Sequence, residues 1–281
     1  MRRSSVHLIP EDQAQGAADR VFAKAKQALG VSFAPEVLRA YAAVPGFLDL
    51  MWETVEPVLQ ERDFLRKSDR LRAQAYTEAF NYLTVPEINA DSDATSTIDG
   101  FHCAAPRLLL LTSIVLRALE EPIGSAREAE EARLPACPCG AVIPQESRVS
   151  TTAREIFENY KAVRSTKLVN CWMLALSPSP EFLRNYWKAI RSLASSAVYD
   201  RIVLELRETA FTFAEDIPVE VDLTHERLAD VGLTPDAIAE IGRITDIFAL
   251  EYGPMVLDVE IARIGCERAR RVEASAPQAA A

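Results

Sequence analysis

Glycine is scarce in this chain, with ten among 281 residues. None of the ten forms a phosphate-cradling loop or a dinucleotide fingerprint, which excludes the nucleotide-binding folds that depend on such turns. Histidine is scarcer still, at three. No Ser-His-Asp order, H-E-x-x-H helix or calcium-loop pattern is present. Basic residues are in deficit, 31 Lys and Arg against 41 Asp and Glu, for a net charge of −10. A nucleic-acid binder needs a basic footprint, and an anionic membrane surface attracts one, so neither partner is expected. Long apolar runs are also missing. The most apolar segment, 108–119, is interrupted by Arg117 and is too short to span a bilayer. No apolar run follows Met1-Arg2-Arg3, so no secretory signal is expected. Five cysteines, an odd number without a regular framework, point to reduced thiols and a cytoplasmic protein.

What the chain does contain is a stretch written twice. Val44-Pro45-Gly46-Phe47-Leu48-Asp49-Leu50-Met51-Trp52 returns as Ser179-Pro180-Glu181-Phe182-Leu183-Arg184-Asn185-Tyr186-Trp187. In both, Pro opens a helix, where its missing N–H costs nothing. Leu48 and Trp52 then share a face, as do Leu183 and Trp187. Other landmarks recur in the same order. Leu8-Ile9-Pro10-Glu11-Asp12 is echoed by Val142-Ile143-Pro144-Gln145-Glu146, Val21-Phe22 by Ile156-Phe157, and Ala105-Pro106 by Gly253-Pro254. The offset is roughly 130–150 positions, too few copies for a solenoid.

Helical spacing predicts helices over 13–29, 35–43 and 45–59, with another starting at Ser68-Asp69. The Asp-, Ser- and Thr-rich 86–99 reads as a loop. A helix apolar all round, hence central, follows Ala105-Pro106. Leu233-Thr234-Pro235-Asp236 opens a late helix, and Gly253-Pro254 starts the last one. Few β-type alternations occur, and 49% of residues are hydrophobic. The expectation is an all-α protein of two pseudo-symmetric helical repeats packed as an intrachain pseudo-dimer, each half covering the other's apolar face. The expected divisions are a first repeat at 8–120, a linker at 121–141, a second repeat at 142–271 and a disordered tail at 272–281.

Candidate chemistry is sparse. Cys137-Pro138-Cys139 lacks the further ligands that a zinc site needs, and incidental linker thiols are the simpler reading. His102-Cys103 precedes the central helix, so His102 is either functional or an ordinary loop histidine. Cys171, in the apolar Leu168-Val169-Asn170-Cys171-Trp172-Met173-Leu174, needs a neighbouring base to act as a nucleophile. Its first-half counterpart is Glu36, which the two-fold arrangement would bring to face it. Trp52 and Trp187 are expected to be core anchors.

On these residues the chain resembles the group I 2-haloacid dehalogenases, the all-helical family acting on both D and L enantiomers. The carriers are the 33–52 stretch with Pro45-Gly46-Phe47-Leu48, Ala105-Pro106-Arg107 with Leu109-Leu110-Leu111, and Leu233-Thr234-Pro235-Asp236. Together they spread the resemblance over about 8–268. The halves are also similar to the alkylhydroperoxidase-D-like superfamily, whose redox members carry a C-x-x-C motif absent here. The resemblance implies a pocket between the repeats, an aspartate that activates water to displace halide from C2, and an asparagine that positions that water. Carried over by position, the aspartate becomes Trp172, the adjacent Ser becomes Cys171, and the asparagine becomes Ala105. The pocket Tyr becomes Phe248, the wall Trp becomes Phe33, and a pocket Phe becomes Glu36. No Asp or Glu lies between Glu158 and Glu181, so a small alignment slip does not restore the base.

Two function readings follow. One is a diverged hydrolase-type enzyme on a small organic acid, halogenated or not, with Glu36 as base and Cys171 and His102 as further catalytic candidates. Its pocket would comprise Phe33, Ala105, Asn170, Trp172 and Phe248. The other is a catalytically inactive small-molecule-binding or scaffold protein of the same fold. A thiol-redox role for Cys103, Cys137, Cys139 and Cys171 is a minor third. No metal or cofactor is expected. The expected partner is a small-molecule ligand, and homodimerisation stays open.

Overall fold

In a computed structural model the chain is described over residues 6–125 and 140–275. Among these residues it is helical, with no β-strand and one isolated bridge, Ile123 to Val221. The expected all-α class is what the structure has. The helices are α1 (Ala17–Leu29), α2 (Glu36–Tyr41), α3 (Phe47–Leu59), α4 (Arg62–Tyr82), α5 (Ser92–Glu120), α6 (Thr151–Arg164), α7 (Cys171–Leu176), α8 (Pro180–Ile190), α9 (Ala197–Glu215), α10 (His225–Asp230) and α11 (Pro235–Ser275).

The longest two, α5 and α11, pack on each other at the centre, with α4 and α9 around them. Leu108, Leu109, Leu110 and Leu111 are all buried, as a helix without a polar face requires. Arg107, in the same stretch, is buried too. Its Nη1 donates to Leu29 O at 2.7 Å, so the cation satisfies a carbonyl at the C-terminal end of α1. By length and composition α5 is apolar enough to cross a membrane. In its most apolar window 78% of residues are buried inside the protein, as in a core helix of a soluble fold.

The ends of α1 and α6 are built alike. Gly30 (φ 68°) and Ser165 (φ 51°) are both left-handed caps. Val31 N–H donates to Lys26 O at 2.9 Å, and Thr166 N–H to Lys161 O at 3.1 Å. Each helix is strapped to the segment before it by one ion pair, Lys26 to Glu11 and Lys161 to Glu146. Ser165 is the one non-glycine residue with positive φ among those described. Left-handed backbone strains any side chain, which makes that turn costlier than its glycine counterpart.

Several local expectations are corrected. The helix expected from Ser68 starts at Arg62, and the Ser68 hydroxyl bonds back to Phe64 O at 2.9 Å. The 86–99 stretch is not all loop. Asp91 caps α5 by accepting from Ala94 N–H at 2.7 Å, and the hydroxyls of Thr95 and Thr97 bond back to the carbonyls of Asp91 and Asp93. The polar residues that signal a loop here serve as cap and self-satisfied helix surface. Pro106 and Pro254 lie inside α5 and α11 rather than at helix starts. Both helices are held from several sides in the core, which offsets the backbone bond each Pro removes. Gly46, not Pro45, is the N-cap of α3, whereas Pro180 is the first residue of α8.

Trp52 and Trp187 are both buried, as core anchors should be. The helix α11 continues through Ser275, into the stretch expected to be tail. Of the expected linker, residues up to 125 run beside 217–221. There Gly124 (φ 84°) passes so close to Val219 O that an added Cβ would lie 2.1 Å from it. Cys137 and Cys139 lie outside the described residues.

Candidate active site

The short helices α2 and α7 are each preceded by an extended residue. Pro35 precedes α2 and Asn170 caps α7, its side chain accepting from Met173 N–H at 3.1 Å. The first residues of the two helices meet. Cys171 N–H donates to Glu36 Oε2 at 3.0 Å, across 135 positions of sequence. The Cys171 thiol donates to Met255 Sδ at 3.7 Å.

Glu36 is 4% exposed. Burial pushes its carboxyl up to about 7, against the opposing pull of the Cys171 N–H, the Arg39 charge and the Cys171 thiol. The charge of Glu251, whose own carboxylate accepts from Thr166 Oγ1 at 2.6 Å, raises it further. Cys171 is fully buried. Loss of hydration, then the neighbouring Glu36, hold its thiol well above the usual range. A thiolate is the nucleophilic form of cysteine, so this thiol is not set up as an attacker.

Glu36 lines a cleft of about 660 Å³. Its lining draws Leu8, Pro10, Asp12, Phe33 and Arg39 from the first part of the chain and Gln145, Arg148, Leu168, Val169 and Leu174 from the later part. Arg39 stands one turn beyond Glu36 on α2. Its Nε donates to Ile9 O at 3.0 Å, and Ile9 N–H returns a bond to Arg39 O at 3.1 Å. A second hollow, about 690 Å³, lies among Glu120, Asp222, Asp230 and Asp246 and contains none of the residues nominated from sequence.

Of the nominated residues, Glu36 and Phe33 line the 660 Å³ cleft, and Cys171 touches Glu36 from behind its wall. An aromatic chain runs inward from there. Phe33 stacks on Phe101 at 5.4 Å, Phe101 meets Trp172 edge-on at 5.4 Å, and Trp172 meets Tyr186 edge-on at 5.8 Å. Trp172 is fully buried, with its indole N–H donated to Tyr186 OH at 3.1 Å. Asn170 is consumed as a helix cap and donates Nδ2 to Tyr160 OH at 2.9 Å. Ala105 is buried within α5. Phe248 tilts against Tyr252, whose hydroxyl accepts from Val37 N–H at 3.3 Å. None of these last four borders the cleft.

His102 faces the other way. Its Nδ1 lies 2.5 Å from Glu260 Oε1, and Arg263 Nη1 lies 2.5 Å from its Nε2, both on α11. That makes it part of an α5–α11 polar cluster outside the cleft. Cys103 lies on α5 with Arg72 Nη1 3.9 Å from its sulfur. No disulfide joins Cys103, Cys171 and Cys266, and no cluster of metal-ligating side chains occurs among the described residues.

Sequence reasoning missed Arg39, Glu251, Thr166 and Tyr252. Arg39 was readable in principle, because it follows Glu36 by three positions and a helix puts both on one face. The other three come from distant segments and carry no local signal.

Comparison with known proteins gives a consistent picture. A model of the family described as halocarboxylic acid dehydrogenase DehI matches residues 32–170. Among solved structures, D-2-haloacid dehalogenase in complex with L-LA superposes with a TM-score of 0.88 at 16% identity, covering 94% of this chain and 97% of that one. A mutant of D-2-haloacid dehalogenase with D-2-CPA gives 0.84 at 16% identity, covering 94% and 96%. At such identity the likeness establishes the fold over nearly the whole of both chains. No curated protein matches.

Proposed function

We propose that this chain is a diverged haloacid dehalogenase-like hydrolase acting on a small organic acid in the cleft that Glu36 lines. The observation that carries the reading is Glu36 itself. It is a carboxylate buried at the cleft wall, held by the backbone N–H of Cys171, with its proton affinity raised into the range a general base needs near neutral pH. The match to the DehI model and the fold of the D-2-haloacid dehalogenases support the reaction class.

On a 2-halo acid the step runs as follows. Ionised Glu36 accepts a proton from a water molecule. The water oxygen forms its bond to C2 while the C–X electron pair leaves with the halide. The proton then passes from Glu36 to solvent, leaving a 2-hydroxy acid. Cys171 acts here as a positioning residue, through its N–H. On this reading Trp172 stands at the place of the group I aspartate and Ala105 at that of the asparagine. The base has moved to the opposite half of the molecule.

The reading also takes the chain as an internal repeat, with 8–120 and 142–271 as its halves and the cleft at their seam. Three things support that. The caps at Gly30 and Ser165 are alike. The ion pairs Lys26–Glu11 and Lys161–Glu146 are alike. The first residues of α2 and α7 touch.

A second reading, a catalytically silent binder, is favoured by one observation. Trp172 is packed and hydrogen-bonded in the core, with no carboxylate beside it in sequence. Halide release from 2-chloropropionate and longer 2-chloro acids, measured for the native protein and for Glu36→Gln, decides between the two. Turnover abolished by the substitution supports the hydrolase. Turnover unchanged by it removes Glu36 as the base, and no release from any 2-chloro acid favours the binder.

A further inference from the structure

The two walls of the Glu36 cleft differ in chemistry where they correspond in position. An offset of 135 relates Glu36 to Cys171. The same offset relates Arg39 to Leu174, Phe33 to Leu168 and Ala34 to Val169, all of them cleft-lining residues. At these matched positions the first half presents an anion and a cation, and the second presents aliphatic side chains; the second half's own cation, Arg148, lines the cleft from the segment before α6. Of the three further acids of the lining, Glu11 and Glu146 are paired with Lys26 and Lys161, and Asp12 is exposed.

Arg39 is fixed by the backbone of the segment before α1. Its Nε is fixed on Ile9 O, and that same residue is tied back through its own N–H. A guanidinium anchored through Nε keeps its plane and leaves the two terminal nitrogens for a second partner, the geometry that suits a carboxylate. The cavity is also large for a two- or three-carbon acid. About 660 Å³ lies within the range of roughly 300–1,000 Å³ that holds drug-sized ligands. A short acid would leave the wall of Leu168, Val169 and Leu174 facing water.

We infer that the cleft is selective for a monocarboxylate with an aliphatic tail of about six to eight carbons, its head on Arg39 and its tail along Phe33, Leu168 and Leu174. The inference rests on the proposed function for the site, and it names the substrate class. With the carboxylate on Arg39, C2 comes next along the chain, and Glu36 lies one helical turn from Arg39. The second half supplies tail recognition rather than chemistry.

Equilibrium binding to the full-length native protein, measured by titration calorimetry with acetate, propionate, hexanoate, octanoate and neutral 1-octanol, tests the selectivity without requiring turnover. Each methylene that becomes buried is worth about a fourfold gain in affinity. Octanoate is therefore expected to bind at least thirtyfold more tightly than propionate. Arg39→Gln should weaken octanoate at least tenfold and leave 1-octanol unchanged, and Arg39→Lys should recover only part of the loss. Leu174→Asn should flatten the chain-length series. Equal affinity for propionate and octanoate overturns the proposal, and the native series alone can show this if a variant fails to fold. So does octanoate binding that survives Arg39→Gln in a folded variant. Octanoate binding without turnover of 2-chloro-octanoate leaves this inference standing and removes the hydrolase. Turnover of 2-chloropropionate without octanoate binding does the reverse.

Discussion

The backbone N–H of Cys171 points at the carboxylate of Glu36, 3.0 Å away, and each residue is the first of its own short helix. One residue brings a carboxylate, the other only donors, so the contact is chemically one-sided. A carboxyl buried beside donors is held in place, yet it remains reluctant to ionise because burial outweighs them. A proton acceptor poised near neutrality follows from that balance.

If Glu36 is the base, activity rises with pH as its carboxyl ionises around 7. Glu36→Gln should lower kcat/KM by about a hundredfold or more, the scale of a lost general base. It should also remove the rising limb of the pH–rate profile. A limb that persists in the variant assigns the titration to another group.

The same shift has a cost in stability. In the unfolded chain Glu36 ionises near 4.5, and in the folded one near 7. Below 4.5 both states hold the proton. Above that, the unfolded state gives it up first, so folding stability falls as pH rises through the interval. The loss is about 3 kcal/mol, complete above 7. Relative to the native protein, Glu36→Gln should therefore gain stability by about that amount between pH 4 and pH 8, read from urea unfolding at the two values.

Trp172 holds the interior together between Phe101 and Tyr186. Trp172→Ala should cost about 3–5 kcal/mol, the range for removing a large buried aromatic. Trp172→Phe keeps most of the volume and should cost less, about 1–3 kcal/mol, much of it from the bond to Tyr186. Thermal unfolding of the three proteins side by side gives the order.

The buried pair of Arg164 and Asp258 offers a test of a different kind. Arg164 Nη2 donates to both Asp258 oxygens at 2.7 Å, and Tyr199 OH donates to Oδ1 at 2.7 Å. Removing one partner strands a charge. Arg164→Met or Asp258→Leu alone should cost about 3–5 kcal/mol, and the double variant should recover part of the loss. Additive losses in a double-mutant cycle would contradict this.

The cap of α1 gives a smaller effect. Gly30 sits at φ 68°, where an added side chain is strained. Gly30→Ala should destabilise by about 1 kcal/mol, measurable as a shift in the urea midpoint at constant slope.

Much of the architecture was legible in the residues. The helical period of 13–29 and 45–59, the all-round apolar character of Leu108 to Leu111 and the scarcity of alternating patterns require helices packed on helices, because only that buries those faces. The duplicated Pro-Phe-Leu-Trp stretch was also in the sequence, and Glu36 and Cys171, set 135 positions apart, are in contact in the fold. Tertiary packing decided the rest. Pro106 and Pro254 pass through the middle of long helices because burial from all sides outweighs one lost backbone bond apiece. His102 and Asn170 looked equally available as letters, yet one is taken up by Glu260 and Arg263 and the other by a helix cap. The proton affinity of Glu36 depends on water being excluded by residues far away in the chain, and desolvation is a property of a folded surrounding that no local pattern encodes.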